Sequence, residues 1–251
     1  VLKTELINLL FPVMLNNYFP HIFCINLVNR PDRKQKMIQR FDKFGIKNVE
    51  FFTTVEFGFA GKLLQLLQSA GHDFVNPGEL GCAIAHYSII KIAKERGYKS
   101  VFILEDDCVF HKDFNELLPQ YMSILPDDWN IFFLYTMQYH NRSHKNIGNN
   151  DVMFETDVML FKPTEAHCAS SYAVNSNMYD NIIDSLDNDF RIIDSRYRLW
   201  MDDPNLNIYS VFPNLCGQDF DVSSIRGDGK TKLDYFSNVT SFGRNKKEDY
   251  I

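Results

Sequence analysis

Val101-Phe102-Ile103-Leu104-Glu105-Asp106-Asp107 is the stretch on which the reading of this chain turns. Four apolar residues rich in β formers run straight into three carboxylates, the pattern of a buried strand that ends in acid. Adjacent negative charges repel one another, and an apolar strand cannot solvate them. A positive group is expected beside them, and a hard divalent cation such as Mn²⁺ or Mg²⁺, which takes oxygen ligands, suits the chemistry. Side chains alternate along a strand, so Glu105 and Asp107 are expected on one face and Asp106 on the other. In open α/β sheets, ligands bind beyond the carboxyl ends of the strands. Taken alone, the same acids would also suit a solvated turn.

Strands and helices alternate around this stretch. His21–Leu27 reads as a first core strand. Pro31 opens a helix whose Met37, Ile38, Phe41 and Phe44 recur at helical spacing, and Gly45 closes it. Val49–Val55 reads as a second strand and residues 59–70 as a short helix. Asn76-Pro77 opens a longer helix with an apolar stripe of Leu80, Ala83, Ile84, Tyr87, Ile90 and Ala93, ended by Gly97. The pattern predicts an α/β fold with a largely parallel sheet. The second half is less regular. It predicts a helix over Asp113–Leu125, bent or broken at Pro119, and a strand over Trp129–Tyr135. A polar loop over 138–151 follows, then strands at Val158–Phe161 and Ser171–Val174 forming a hairpin. A helix over Asn177–Leu186 and a strand over Ile208–Phe212 complete the reading.

The bulk numbers bound the class. The chain has 251 residues, 45% apolar and 14% aromatic, enough for one sizeable core. Its net charge of −6 and the lack of a basic stripe exclude a nucleic-acid backbone as the expected partner. The five cysteines are scattered, with no CxxC, so they read as buried thiols rather than a structural zinc site. No apolar run reaches the roughly 20 residues of a membrane span. Val1–Phe19 lacks a basic region followed by a clean apolar core, so it is not read as a signal peptide. The compartment stays open between the cytoplasm and a secretory lumen, with the cytoplasm favoured. The expected organisation is a helical extension over 1–20, a single domain over 21–243 and a charged tail over 244–251.

Three further groups carry chemistry. Arg30 and Arg33 follow the first strand beside a helix N-terminus, a place for phosphate or a nucleobase edge; a surface pair with Asp32 is the other outcome. Glu56 ends the second strand, where an acid meets a base or ribose hydroxyl in nucleotide-binding sheets. Cys82 and His86 share a helical face, and such a pair either binds metal or packs as a hydrogen-bonded core histidine. Gly78 and Gly81 in that helix's first turn suggest close approach of a backbone or a ligand.

Together these segments resemble glycosyltransferase family 25. Ile25-Asn26-Leu27-Val28-Asn29-Arg30-Pro31-Asp32-Arg33 is similar to its INLxxRxDR opening. Gly78-Glu79-Leu80-Gly81-Cys82-Ala83-Ile84-Ala85-His86 is similar to its GExGCxxSH segment, with Ala85 where Ser is usual. Ile103-Leu104-Glu105-Asp106-Asp107 is similar to its LEDD segment. Pro213–Gln218 followed by Ser223-Ser224-Ile225 is similar to its late PxxxxQ…SxI pattern. The four run in the family's order over residues 21–226; the second-strand acid, often Asp there, is Glu56.

The resemblance implies a GT-A-like fold and transfer of galactose or glucose from a UDP-sugar to a hydroxyl of a glycan or hydroxylysine-type acceptor, with inversion. It implies Mn²⁺ or Mg²⁺ held by Glu105 and Asp107. It implies a donor pocket drawn from Asn26, Arg30, Arg33, Glu56, His86, Asp106, Gln218 and Ser224. The base is expected at Asp194, with Asp202 and Asp203 as rivals and helix capping as the other role. Trp129 and Trp200 are candidates for sugar stacking, and loop 138–151 for an acceptor lid. Two other functions stay open: a catalytically silent binding domain and a metal-dependent phosphohydrolase.

Overall fold

A computed structural model describes residues 14–53, 77–138, 158–164, 166–188, 193–219 and 249–251, with scattered positions between 62 and 69. In chain order, α1 (Leu15–Tyr18) leads to β1 (Ile22–Asn26), α2 (Pro31–Phe44) and β2 (Val49–Thr53). Then come α3 (Pro77–Glu95), β3 (Ser100–Glu105), β4 (Cys108–Phe110) and α4 (Phe114–Ile124). β5 (Ile131–Phe133), β6 (Met137–Gln138), β7 (Met159–Phe161), β8 (Ala166–His167) and β9 (Ser171–Asn175) follow. A 3₁₀ turn over Ser176–Met178 introduces α5 (Tyr179–Asn188), and α6 (Ile193–Met201), β10 (Ile208–Phe212) and β11 (Cys216–Gln218) close the order.

The main sheet has seven strands in the order β2-β1-β3-β9-β5-β10-β7. β1 is parallel to β2 and β3, and β5 to β10. β9 runs antiparallel between β3 and β5, and β7 is an antiparallel edge on β10. So β2, β1, β3, β5 and β10 share one direction, and the sheet is mostly parallel, as the sequence pattern indicates. Because β2 and β3 lie on opposite sides of β1, the crevice between the carboxyl ends of β1 and β3 is a topological switch point, where ligands of such sheets bind.

Strand alternation sorts the core into two layers. Phe102 and Leu104 of β3 pack with Met37, Phe41 and Phe44 of α2 and Phe114, Leu118 and Tyr121 of α4. Val101 and Ile103 pack on the other face with Ala85, Ile89 and Ile90 of α3 and Ile193 and Tyr197 of α6. Fully burying each large apolar side chain contributes about 1.5–3 kcal/mol. Leu15 and Phe19 belong to the first layer, with the Phe19 ring 5.3 Å from Phe102 and 6.5 Å from Phe132. The described end of the amino-terminal extension therefore fills the core. Gly45 ends α2 at φ 69°, the left-handed conformation that favours glycine.

Several expectations are corrected. Pro119 stands inside a continuous α4 rather than breaking it; its missing amide falls within an eleven-residue helix held by Phe114, Leu118 and Tyr121 in the core. Met159–Phe161 and Ser171–Asn175 do not form a hairpin, because β7 pairs with β10 while β9 inserts between β3 and β5. The helix over 59–70 lies largely, and the loop over 139–151 wholly, outside the described residues. Tyr250 and Ile251 return from the tail to β4: His111 bridges Tyr250, and the Tyr250 hydroxyl donates to the Asn214 carbonyl at 2.9 Å. No helix among the described residues is long and apolar enough to cross a membrane.

Candidate active site at the switch point

The register of β1 on β3 pairs Ile25 with Glu105, so Asn26 and Asp106 leave the sheet side by side. Both are even-numbered continuations toward the α2 face. The Asn26 amide donates to Asp106 Oδ2 at 2.8 Å and to the Arg30 carbonyl at 3.2 Å. The Arg33 guanidinium, in the first turns of α2, donates to Asp106 Oδ1 at 2.9 Å and lies 3.8 Å from Asp107 Oδ2. Asn26, Arg33, Asp106 and Asp107 are all buried. A buried carboxylate held by a guanidinium and an amide is a fixed feature, since removing one partner would strand the other charge.

Glu105 goes the other way. It ends β3, and its odd-numbered place turns it toward α3. Its Oε1 lies 3.3 Å from His86 Nε2 and accepts from the Cys82 thiol at 3.5 Å. His86 is fully buried, and its Nδ1 is 2.8 Å from the Tyr172 hydroxyl, which in turn accepts from Tyr197 at 3.1 Å. Burial, and then the charges of Glu105 and Asp194, push the Cys82 thiol well above its usual range.

The expected sharing of one face by Glu105 and Asp107 is therefore corrected. The strand ends at Glu105; Asp106 still follows its parity, but the turn before β4 ends the alternation at Asp107. Asp107 joins Asp106 on the Arg33 side. Its carbonyl accepts from the Asp219 amide at 2.6 Å, and β11 pairs antiparallel with β4, with Gln218 opposite Cys108. Gln218 is thus brought to the acids, and its Oε1 accepts from the Cys168 thiol at 3.5 Å.

The other expected residues divide. The Arg30 guanidinium turns outward to Asp32 at 2.8–2.9 Å and holds that carboxyl down at about 2. It is the Arg30 carbonyl that meets Asn26. Asp194 stands in the first turn of α6, its Oδ1 accepting from the Ser195 amide at 2.7 Å and its Oδ2 3.9 Å from His167 Nδ1. Asp202 and Asp203 follow the far end of α6, near the amino end of β10, and Asp203 is committed to a turn with Asn205 at 2.9 Å. They are at the wrong end of the sheet for the base. Trp129 and Trp200 are half-buried and pack against the two core layers. Glu56 and Ser224 lie outside the described residues. At Gly81 a Cβ would meet nothing within 4 Å among the described residues, so none of their backbones explains that glycine.

Arg40 was not singled out from the sequence. Its guanidinium donates to Asp219 Oδ2 at 2.7 Å and to the Cys108 carbonyl at 3.1 Å, tying α2 to both ends of the acidic turn. The signal was its place seven residues after Arg33, two turns along the same helical face. All five cysteines are outside disulfides.

A family model described as glycosyltransferase family 25 (LPS biosynthesis protein) matches residues 19–183. The chain is 33% identical over 114 residues to a glycosyltransferase 25 family member of Aedes aegypti, covering 40% of this chain and 18% of that protein. It is 27% identical over 157 residues to procollagen galactosyltransferase 1 of Danio rerio, covering 55% of this chain and 25% of that protein. It is also 27% identical over 133 residues to a "Probable inactive glycosyltransferase 25 family member 3" of Bos taurus, covering 46% and 22%. The chain thus spans about a fifth to a quarter of the length of these relatives.

Proposed function

This chain belongs to glycosyltransferase family 25, and we propose that it transfers a hexose, galactose or glucose, from a UDP-sugar to a hydroxyl of a glycan or hydroxylysine-type acceptor, with inversion at the transferred carbon. The observation that carries the reading is the Asn26–Asp106–Arg33 clamp, which fixes an acidic turn at the switch-point crevice where a nucleotide belongs.

The acids fit a hard cation. Residues 105–107 offer carboxylate oxygens, the ligands a hard cation takes, and Asp106 gives its two oxygens to Asn26 and Arg33. Glu105, from the α3 side of the strand end, and Asp107, from the Arg33 side, would hold Mn²⁺ or Mg²⁺, which when bound would supply Lewis-acid stabilisation of the leaving diphosphate. The buried clamp gives the nucleotide pocket a rigid wall, and Gln218 closes it from β11. Glu56 and Ser224 are assigned to the same pocket by the family's motifs. Asp194 takes the proton of the acceptor hydroxyl on a carboxylate oxygen as that hydroxyl attacks the sugar and the bond to UDP breaks. Its place in the first turn of α6, which packs against α3 through Ile193 and Tyr197 on the Glu105 side of the sheet, supports this, because base and leaving group must flank one sugar.

The test is a panel of UDP-sugars with Mn²⁺ and an acceptor, read as UDP release, on the wild type and Asp194→Asn. Turnover is expected to fall roughly 10²–10⁴-fold in the variant with UDP affinity unchanged. Retained turnover would remove Asp194 from the mechanism. A second reading, a silent binding domain, is favoured by the likeness to the cattle relative. It predicts no UDP release with any donor in the panel.

A further inference from the structure

We propose that Cys82, His86 and Glu105 form a site for a zinc-type divalent metal, held by sulfur, nitrogen and oxygen and leaving a fourth position for water or a ligand. The three candidate ligand atoms lie within 4.8 Å of one another. Two of the edges are informative. Bonds of about 2.0–2.1 Å to nitrogen and oxygen and about 2.3 Å to sulfur, at tetrahedral angles, put N and O about 3.3 Å apart and S and O about 3.5 Å apart. His86 Nε2 and Cys82 Sγ lie at 3.3 and 3.5 Å from Glu105 Oε1.

The scaffold supports the ligands as metal sites require. Cys82 and His86 are four residues apart on α3, and so point the same way. Glu105 is delivered from β3 by strand parity. The other ring nitrogen of His86 is fixed by the Tyr172 hydroxyl at 2.8 Å, and Tyr172 is fixed by Tyr197, the outer support that orients a ligating imidazole. In the metal-bound state Nδ1 carries the proton and donates to the Tyr172 oxygen, which frees Nε2 for the metal. Cys82 gives up its thiol proton to solvent on binding. Glu105 retains 19% side-chain exposure, which provides a way in.

A mixed thiolate, imidazole and carboxylate set selects zinc, cobalt or iron over the hard cations. The site therefore differs in kind from an all-oxygen Glu105–Asp107 site, although the two share Glu105. It stands whether or not the chain transfers sugar.

The experiment is a titration of metal-stripped protein with Co²⁺, read by absorbance. One equivalent is expected to give a thiolate-to-cobalt charge-transfer band that Zn²⁺ displaces. Cys82→Ser is expected to lose the band, and Tyr172→Phe to weaken affinity roughly 10–100-fold. Asp107→Asn is expected to keep it, which separates this site from the diphosphate cation of the transfer reaction. Should Cys82→Ser fail to fold by circular dichroism, Glu105→Gln provides the same test with the thiol intact, as a loss of affinity. No band in the wild type, or a band undiminished in Cys82→Ser because another cysteine supplies the sulfur, would overturn the proposal.

Discussion

Glu105 and Asp106 are neighbours in the chain with the same charge, and the fold treats them oppositely. Asp106 turns to the α2 side, where Asn26 and Arg33 take both its oxygens and its side chain is 8% exposed. Glu105 turns to the α3 side, among the softer groups Cys82 and His86, at 19% exposure. One carboxylate serves as architecture and the other stays at the edge of solvent, where a ligand can reach it. The difference shows that an acidic motif is not a unit: one step of strand parity decides which acid is clamped and which one stays at the edge of solvent.

The sharpest way to break this comparison is Arg33→Met. It leaves Asp106 and Asp107 buried beside an apolar chain, and a loss of about 3–5 kcal/mol is expected by urea denaturation. A loss below ~1 kcal/mol would mean that the clamp is not structural. Glu105→Gln should behave in reverse. Stability is expected to change by less than about 1 kcal/mol, as for a partly exposed hydrogen-bonding group, while Mn²⁺-dependent UDP binding disappears in calorimetry. Smallest of all is Arg30→Ala. Its partner Asp32 is on the surface, so no measurable change in melting temperature is expected, and donor affinity should hold. A clear loss of UDP affinity would return the Arg30 guanidinium to the pocket.

What the sequence shows depends on how local the cause is. Alternation through Val101–Glu105, the Pro31-to-Gly45 helix and the strand–helix rhythm are written in neighbouring residues, and the structure follows them. The clamp was half legible: Asn26, Arg33 and Asp106 stood in motifs, but their mutual hydrogen bonds depend on the register of β1 on β3. β4 and β11 were not legible at all. Each is three residues long and exists because the other is there, so no periodicity announces them. Arg40 escaped for a related reason. Its value lies in Asp219, which only the closed fold brings near.

That link between Arg40 and Asp219 joins residues 179 positions apart, and the Asp219 amide also fastens the Asp107 carbonyl. A chain made from its amino terminus has β1, α2 and β3 in hand long before β11 exists. The acidic turn is then unlatched until the strand that latches it has been made. Assembly of the acidic turn therefore waits on distant sequence: a ribosome that stops short of residue 219 leaves β1, α2 and β3 in place with the turn between β3 and β4 unlatched.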